Sequence, residues 1–107
     1  MTKSLIYLAG PISKMEWDDA KAQFKEMEDY AKDHLDFDEV INPVNHSKPD
    51  DTLDNEMEIW SHYMRESLRK LTDCDAILLA PNYHISKGAR LEKYVAEELG
   101  CSVYYMR

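Results

Sequence analysis

The apolar residues of this chain alternate between short unbroken runs and helical stripes from one end to the other. Ser4 to Ala9 is a compact apolar run closed by Gly10-Pro11, the pattern of a buried strand ending in a turn. From Glu16 onward the apolar positions are Trp17, Ala20, Phe24, Met27, Ala31 and Leu35. Steps of three and four predict one long amphipathic helix there. Glu39-Val40-Ile41 predicts a short strand stopped by Asn42-Pro43. A second helix is expected from about Asp54 to Leu71, with Met57, Trp60, Met64, Leu68 and Leu71 on one face. Asp75 to Ala80 is the third strand, and Gly88 to Leu99, with Leu91, Val95 and Leu99 in phase, the third helix. Gly100 is a natural helix stop, and Cys101 to Tyr105 reads as the last strand. Pro43 to Asp54 is polar, carries two prolines and has no period, which predicts a surface loop.

Strands that alternate with helices long enough to cross over belong in a parallel sheet. The expected fold class is α/β. It is a small three-layer α/β/α sandwich around a mainly parallel sheet of about four to five strands, Rossmann- or flavodoxin-like. The whole chain, 1–107, reads as a single domain. Ligands of such sheets bind outside the carboxyl ends of the strands. The turns Gly10-Pro11-Ile12-Ser13, Asn42-Pro43 and Pro81 through Gly88 are therefore expected to meet in one crevice.

Composition narrows the partners. The 107 residues carry a net charge of −8, which makes a nucleic-acid polymer or an anionic membrane a poor partner. No apolar run approaches ~20 residues, so no membrane span is expected. The N-terminal stretch has no signal-peptide pattern, and the two cysteines, Cys74 and Cys101, lack metal-ligand spacing. A cytoplasmic protein with buried thiols is the expectation. His34, His46, His62 and His84 also lack metal spacing; of them only His84 falls in a ligand-side turn. Neither a metal nor a cofactor is expected, since no dinucleotide or triphosphate fingerprint occurs.

The most informative stretch runs from Asp75 to Leu99. A strand, a turn and a helix start offer free backbone N–H groups to an anion or a sugar. Glu92 sits about one turn inside that helix beside the apolar stripe, and Tyr7 lies within the first strand. On pattern alone Glu92 is an ordinary solvated carboxylate and Tyr7 a core aromatic. Ser86 suits a helix N-cap, Gly88 a backbone requirement, and Asp75 a cap before a buried strand. The pattern yields a small α/β domain with a carboxylate-bearing pocket, and no reaction.

A resemblance adds one. Leu5-Ile6-Tyr7-Leu8-Ala9-Gly10-Pro11-Ile12-Ser13 resembles the opening of the nucleoside 2-deoxyribosyltransferase superfamily. Cys74-Asp75-Ala76-Ile77, followed by Ser86-Lys87-Gly88-Ala89-Arg90-Leu91-Glu92, resembles its second signature. The compact DUF4406 branch, frequent in phages and prophages, is the most similar, over nearly the whole chain and including Asn42-Pro43 and the Trp60, Tyr63-Met64-Arg65 helix. The resemblance implies cleavage of the N-glycosidic bond of a 2′-deoxynucleoside or its 5′-monophosphate. Glu92 matches the catalytic glutamate that forms a covalent deoxyribosyl ester, and Tyr7 the tyrosine that holds it. Gly10, Pro11, Ile12 and Ser13 would line the base and sugar, and Asp75 matches a motif aspartate. Ser86 and Gly88 align with positions that contact a 5′-phosphate. Pro11 and Ser13-Lys14 depart from the glycine- and arginine-containing turn of the monophosphate enzymes, and Lys87 is the alternative source of positive charge. The implied partner is a small-molecule nucleoside or nucleotide. A homodimer or higher homo-oligomer is also implied, with the Met57, Trp60, Tyr63, Met64 face as its candidate interface. The other reading is a nucleotide-binding or sensing protein that keeps the pocket without turnover, or a hydrolase of another nucleotide.

Overall fold

A computed structural model of the chain describes residues 3–12, 15–45 and 55–107. Its elements follow the order expected from the hydrophobic pattern. They are β1 (Leu5–Ala9), α1 (Trp17–His34), β2 (Glu39–Ile41), α2 (Glu56–Leu71), β3 (Ala76–Leu79), α3 (Lys87–Glu98) and β4 (Ser102–Tyr105). The strands form one sheet in the order β2-β1-β3-β4, and every neighbouring pair is parallel. The chain steps from β1 outward to β2, crosses back over β1 to β3, and continues to β4 at the far edge. Reversal of direction between β1 and β3 creates a topological switch point at their carboxyl ends.

Alternation along the central strands builds the two layers. Ile6 and Leu8 of β1, with Ala76 and Leu78 of β3 and Ala80 just after it, pack on Phe24, Met27 and Ala31 of α1. Tyr7 and Ala9, with Ile77 and Leu79, face the other way, onto Leu71 of α2 and Ala89 and Ala96 of α3. Both central strands are buried on both faces, so they read as continuous apolar runs. Each fully buried Leu or Ile contributes about 1.5–3 kcal/mol, which is what holds helices to the sheet.

The ends of the elements have local causes. Asp18 and Asp19 in the first turn of α1, and Lys32 and His34 in the last, complement its dipole. Asn55 caps α2, accepting from the Glu58 amide, so the helix starts just after the expected Asp54. Gly100 adopts φ +81°, the left-handed conformation that ends α3. The expected loop from Pro43 begins as a 3-10 turn, Pro43–Asn45; its remainder, with His46, lies outside the described residues, as do Ser13 and Lys14. A second 3-10 turn, Tyr83–Ile85, sits in the turn after β3. Among the described residues, no helix is long and apolar enough to cross a membrane.

Candidate functional site: a buried carboxyl under two tyrosines

Glu92 is the only acidic residue buried among the described residues, at 6% exposure. It faces the sheet from the second turn of α3, on the layer that α2 and α3 share. Tyr7, in the middle of β1, turns its ring to that same layer and is wholly buried. Tyr63 and Ser67 of α2, four residues apart on one helical face, close the cluster and are also buried. The Ser67 hydroxyl lies beside both phenols.

Burial dominates the electrostatics of this cluster. The Glu92 carboxyl is pushed from its ordinary 4.5 up to about 8 by desolvation, and the nearby Tyr7 hydroxyl pulls it back by less. Tyr7 is driven well above the ordinary phenol value, first by burial and then by the charge of Glu92. Tyr63 rises for the same two reasons in the same order. No lysine or arginine among the described residues forms an ion pair with Glu92. Both phenol hydroxyls are fully enclosed and neither makes a hydrogen bond. Tyr7 is thus near enough to Glu92 for its hydroxyl to act on the carboxyl as a donor, while falling short of full hydrogen-bond geometry. Two unpaired donors beside an uncompensated acid are costly to bury, by about 1–3 kcal/mol for each unsatisfied group.

The other residues singled out from the sequence are distributed elsewhere. Ser86 caps α3, its Oγ accepting from the Ala89 amide at 3.1 Å. Lys87 holds its Nζ 4.1 Å from the centre of the Trp60 ring, a cation–π contact between α3 and α2. Gly88 lies in the same seam, where a Cβ would come within 2.9 Å of the Met64 sulfur. Gly10 sits at the carboxyl end of β1 on the α1 side; a Cβ there would fall 2.9 Å from Ala80 Cβ. Pro11 is buried and Ile12 half-buried beside it. Asp75 precedes β3 at the amino edge of the sheet, where its Oδ2 accepts from the Leu5 amide at 2.9 Å. That edge is opposite the carboxyl ends, so Asp75 serves the β1–β3 junction and does not share a crevice with Gly10. The α2 face read as a candidate interface is largely used within the chain: Tyr63 and Met64 are buried, Trp60 is half-buried, and Met57 alone is exposed.

Two of the carboxyl-end turns meet on the α1 side of the sheet. Gln23 of α1 donates through Nε2 to Oδ1 of Asn82, joining α1 to the turn after β3 close to Gly10. A cavity of about 300 Å³ opens where α1 passes the turn after β2, lined by Lys21, Lys25, Glu28, Asn42 and Asn45. Asn42, buried there, donates to the Phe24 carbonyl and to Glu28, and accepts from the Val44 amide. No cluster of His, Cys, Asp and Glu side chains suited to a metal occurs among the described residues.

Tyr63 and Ser67 are what sequence reasoning missed at the carboxyl. Their signal was present: two polar residues at i and i+4 within a stripe otherwise made of Trp60, Met64, Leu68 and Leu71. Gln23 and Asn82 gave no comparable signal, since polar residues on an exposed helix and in a turn are ordinary.

Comparison with curated proteins and with solved structures returns no match. Comparison with family descriptions returns one, the Domain of unknown function (DUF4406), over residues 4–105. That span takes in the four strands and three α-helices of the described residues, and the chain therefore belongs to the DUF4406 family.

Proposed function

We propose that the protein cleaves the N-glycosidic bond of a 2′-deoxynucleoside or its 5′-monophosphate, with Glu92 as the attacking carboxylate. The observation that carries this reading is the enclosed Glu92, unpaired by any cation among the described residues and overlooked by unpartnered tyrosine hydroxyls. Folding gains nothing from such a group, and strongly perturbed carboxyls of this kind collect at functional sites. The resemblance of the Tyr7 and Glu92 segments to the nucleoside 2-deoxyribosyltransferase superfamily, and the phage branch within it, supports the same assignment.

The chemistry runs in two displacements. The ionised Glu92 carboxylate forms a bond to the anomeric carbon while the bond from that carbon to the base nitrogen breaks. The electron pair leaves with the base, which takes a proton from solvent. Water or a second base then opens the deoxyribosyl ester and returns the carboxylate. A carboxylate suits this path because its charge also stabilises the oxocarbenium-like transition state. The Tyr7 hydroxyl orients the carboxylate. Ser86 and Lys87, at the start of α3, are the groups offered to a 5′-phosphate, with the Gly10-Pro11-Ile12 turn beside the sugar and base.

Incubation with each deoxynucleoside monophosphate, followed by chromatography for free base, tests the reading. Base release by the wild type, its abolition in Glu92→Ala, and far slower release from ribonucleotides are expected. If wild type and Glu92→Ala bind a nucleotide equally and neither releases base, the binding protein becomes the better account. A specific observation favours that second reading: the 300 Å³ cavity, with its two lysines and two asparagines, does not include Glu92.

A further inference from the structure

The Glu92 cluster holds one group that the two-residue account of Glu92 and Tyr7 leaves without a task. Tyr63 comes from α2, an element that contributes nothing to the Glu92 and Tyr7 signatures. More than nine-tenths of its surface is buried, and its hydroxyl is fully enclosed without a hydrogen-bond partner. The hydroxyl lies close enough to Glu92 to feel its charge, with Ser67 as its other polar neighbour. A phenol placed there only to fill space would need no hydroxyl, since phenylalanine fills the same volume without stranding a donor.

We propose that Tyr63 is a positioning residue of this site, its hydroxyl and that of Tyr7 donating together to the ionised Glu92 carboxylate and fixing it for attack. The inference rests on the reading of Glu92 as the reacting carboxylate. A carboxylate is acceptor-only, with two oxygens and room for several donors. A neutral carboxyl presents a weaker acceptor than a carboxylate, and the two phenols stand beside it without hydrogen bonds. Ionisation reverses the demand, and donors that are already buried in place then stabilise the charged form. Tyr7 approaches from β1 and Tyr63 from α2, so the carboxylate is gripped from two elements and not from its own helix. The polar groups facing Glu92 are Tyr7 from β1 and Tyr63 from α2, with Ser67 of α2 beside the two phenols; the described residues form no ion pair with it. Burial keeps both phenols protonated throughout the range in which Glu92 titrates, so both remain donors.

The test follows the Glu92 side-chain carboxyl by carbon NMR during a pH titration of the wild type, Tyr7→Phe and Tyr63→Phe, with steady-state base release measured beside it. Tyr63→Phe is expected to fold, because the lost hydroxyl had no partner; Tyr63→Leu carries the same expectation should it not. Loss of the hydroxyl raises the Glu92 midpoint by about half a unit to one unit, a 3- to 10-fold tighter hold on the proton. It lowers kcat by about 10- to 100-fold while KM changes less than about 3-fold, the split of a group that acts on the reacting carboxylate and not on substrate binding. An unmoved midpoint together with unchanged kcat overturns the inference and leaves Tyr63 a packing residue. A moved midpoint in a protein that releases no base from any nucleotide upholds Tyr63 as positioning Glu92 and removes the glycosidic reading instead.

Discussion

Replacing Glu92 by glutamine should stabilise this protein, and by an amount that depends on pH in a defined way. Burial lifts the folded-state carboxyl from 4.5 to about 8. Below pH 4.5 both the folded and the unfolded chain carry the proton, and the residue makes no difference. Between pH 4.5 and 8 the unfolded chain releases the proton and the folded chain keeps it, so stability falls by about 1.4 kcal/mol per pH unit. Above pH 8 both forms are ionised and the full cost remains, about 5 kcal/mol. Glutamine has nearly the same shape and no charge, and escapes the whole series. Relative to wild type, Glu92→Gln should be within about 1 kcal/mol at pH 4, and more stable by about 3 kcal/mol at pH 7. In a chain of this size that is a rise in Tm on the order of 10 °C at neutral pH. Urea melts of both proteins at half-unit steps from pH 4 to 9 measure the difference directly. The background from the −8 net charge affects both proteins almost equally and cancels. A difference that stays flat across the range, or that favours the wild type at pH 7 and above, would refute the uncompensated-carboxyl account and imply a cation near Glu92.

Other outcomes follow from the same geometry. Base release should rise with pH through about 8 as the nucleophile ionises, whereas a Glu92 acting as a general acid would lose activity over that interval. Asp75→Asn should cost on the order of 1–2 kcal/mol, read by urea melts, through the weakened bond to the Leu5 amide. It should leave kcat/KM within about 3-fold, since Asp75 is at the opposite edge of the sheet; a large catalytic loss with an intact fold would return it to the substrate site. Gly10→Ala should destabilise by about 1–3 kcal/mol, because its Cβ meets the fixed Cβ of Ala80 at 2.9 Å. Gly88→Ala meets a flexible methionine end at the same distance and gains about 1 kcal/mol of helix propensity, so it should be near neutral by the same melts.

The layered fold was legible in the sequence because its signals are redundant. Ile6 to Ala9 and Ala76 to Ala80 are unbroken apolar runs, as strands covered on both faces must be, and each stops at a glycine or a proline. Periodicity also placed Glu92 beside a buried stripe, but could not say what lay across from it. The partners come from β1 and α2, far away in sequence, and a hydrophobic pattern records which face is buried without recording which buried faces meet. Asp75 was misleading for a related reason. Its neighbours match a signature, yet a residue just before a parallel strand lies at the amino edge, where the chain needs an acceptor for the first amide of β1. Ser86, Lys87 and Gly88 share a second ambiguity: a cap, a cation and a glycine at a helix start serve a phosphate or serve packing equally well. Here each has a structural partner in Ala89, Trp60 or Met64.

Those three partners bear on the carboxyl itself. Trp60 and Met64 belong to the same two turns of α2 as Tyr63, so the close approach permitted by Gly88 and the Lys87 contact also set how far the Tyr63 hydroxyl stands from Glu92. Tyr7 is fixed in the centre of the sheet, between β2 and β3, and has no freedom to follow the carboxyl. The adjustable distance in the cluster is therefore the one between α2 and α3. Only Glu92 changes charge near neutrality, because burial holds both phenols neutral well above that range. A single proton thus decides whether the cluster is an acid among idle donors or a carboxylate held by two of them, and the α2–α3 seam decides how firmly the second state is held.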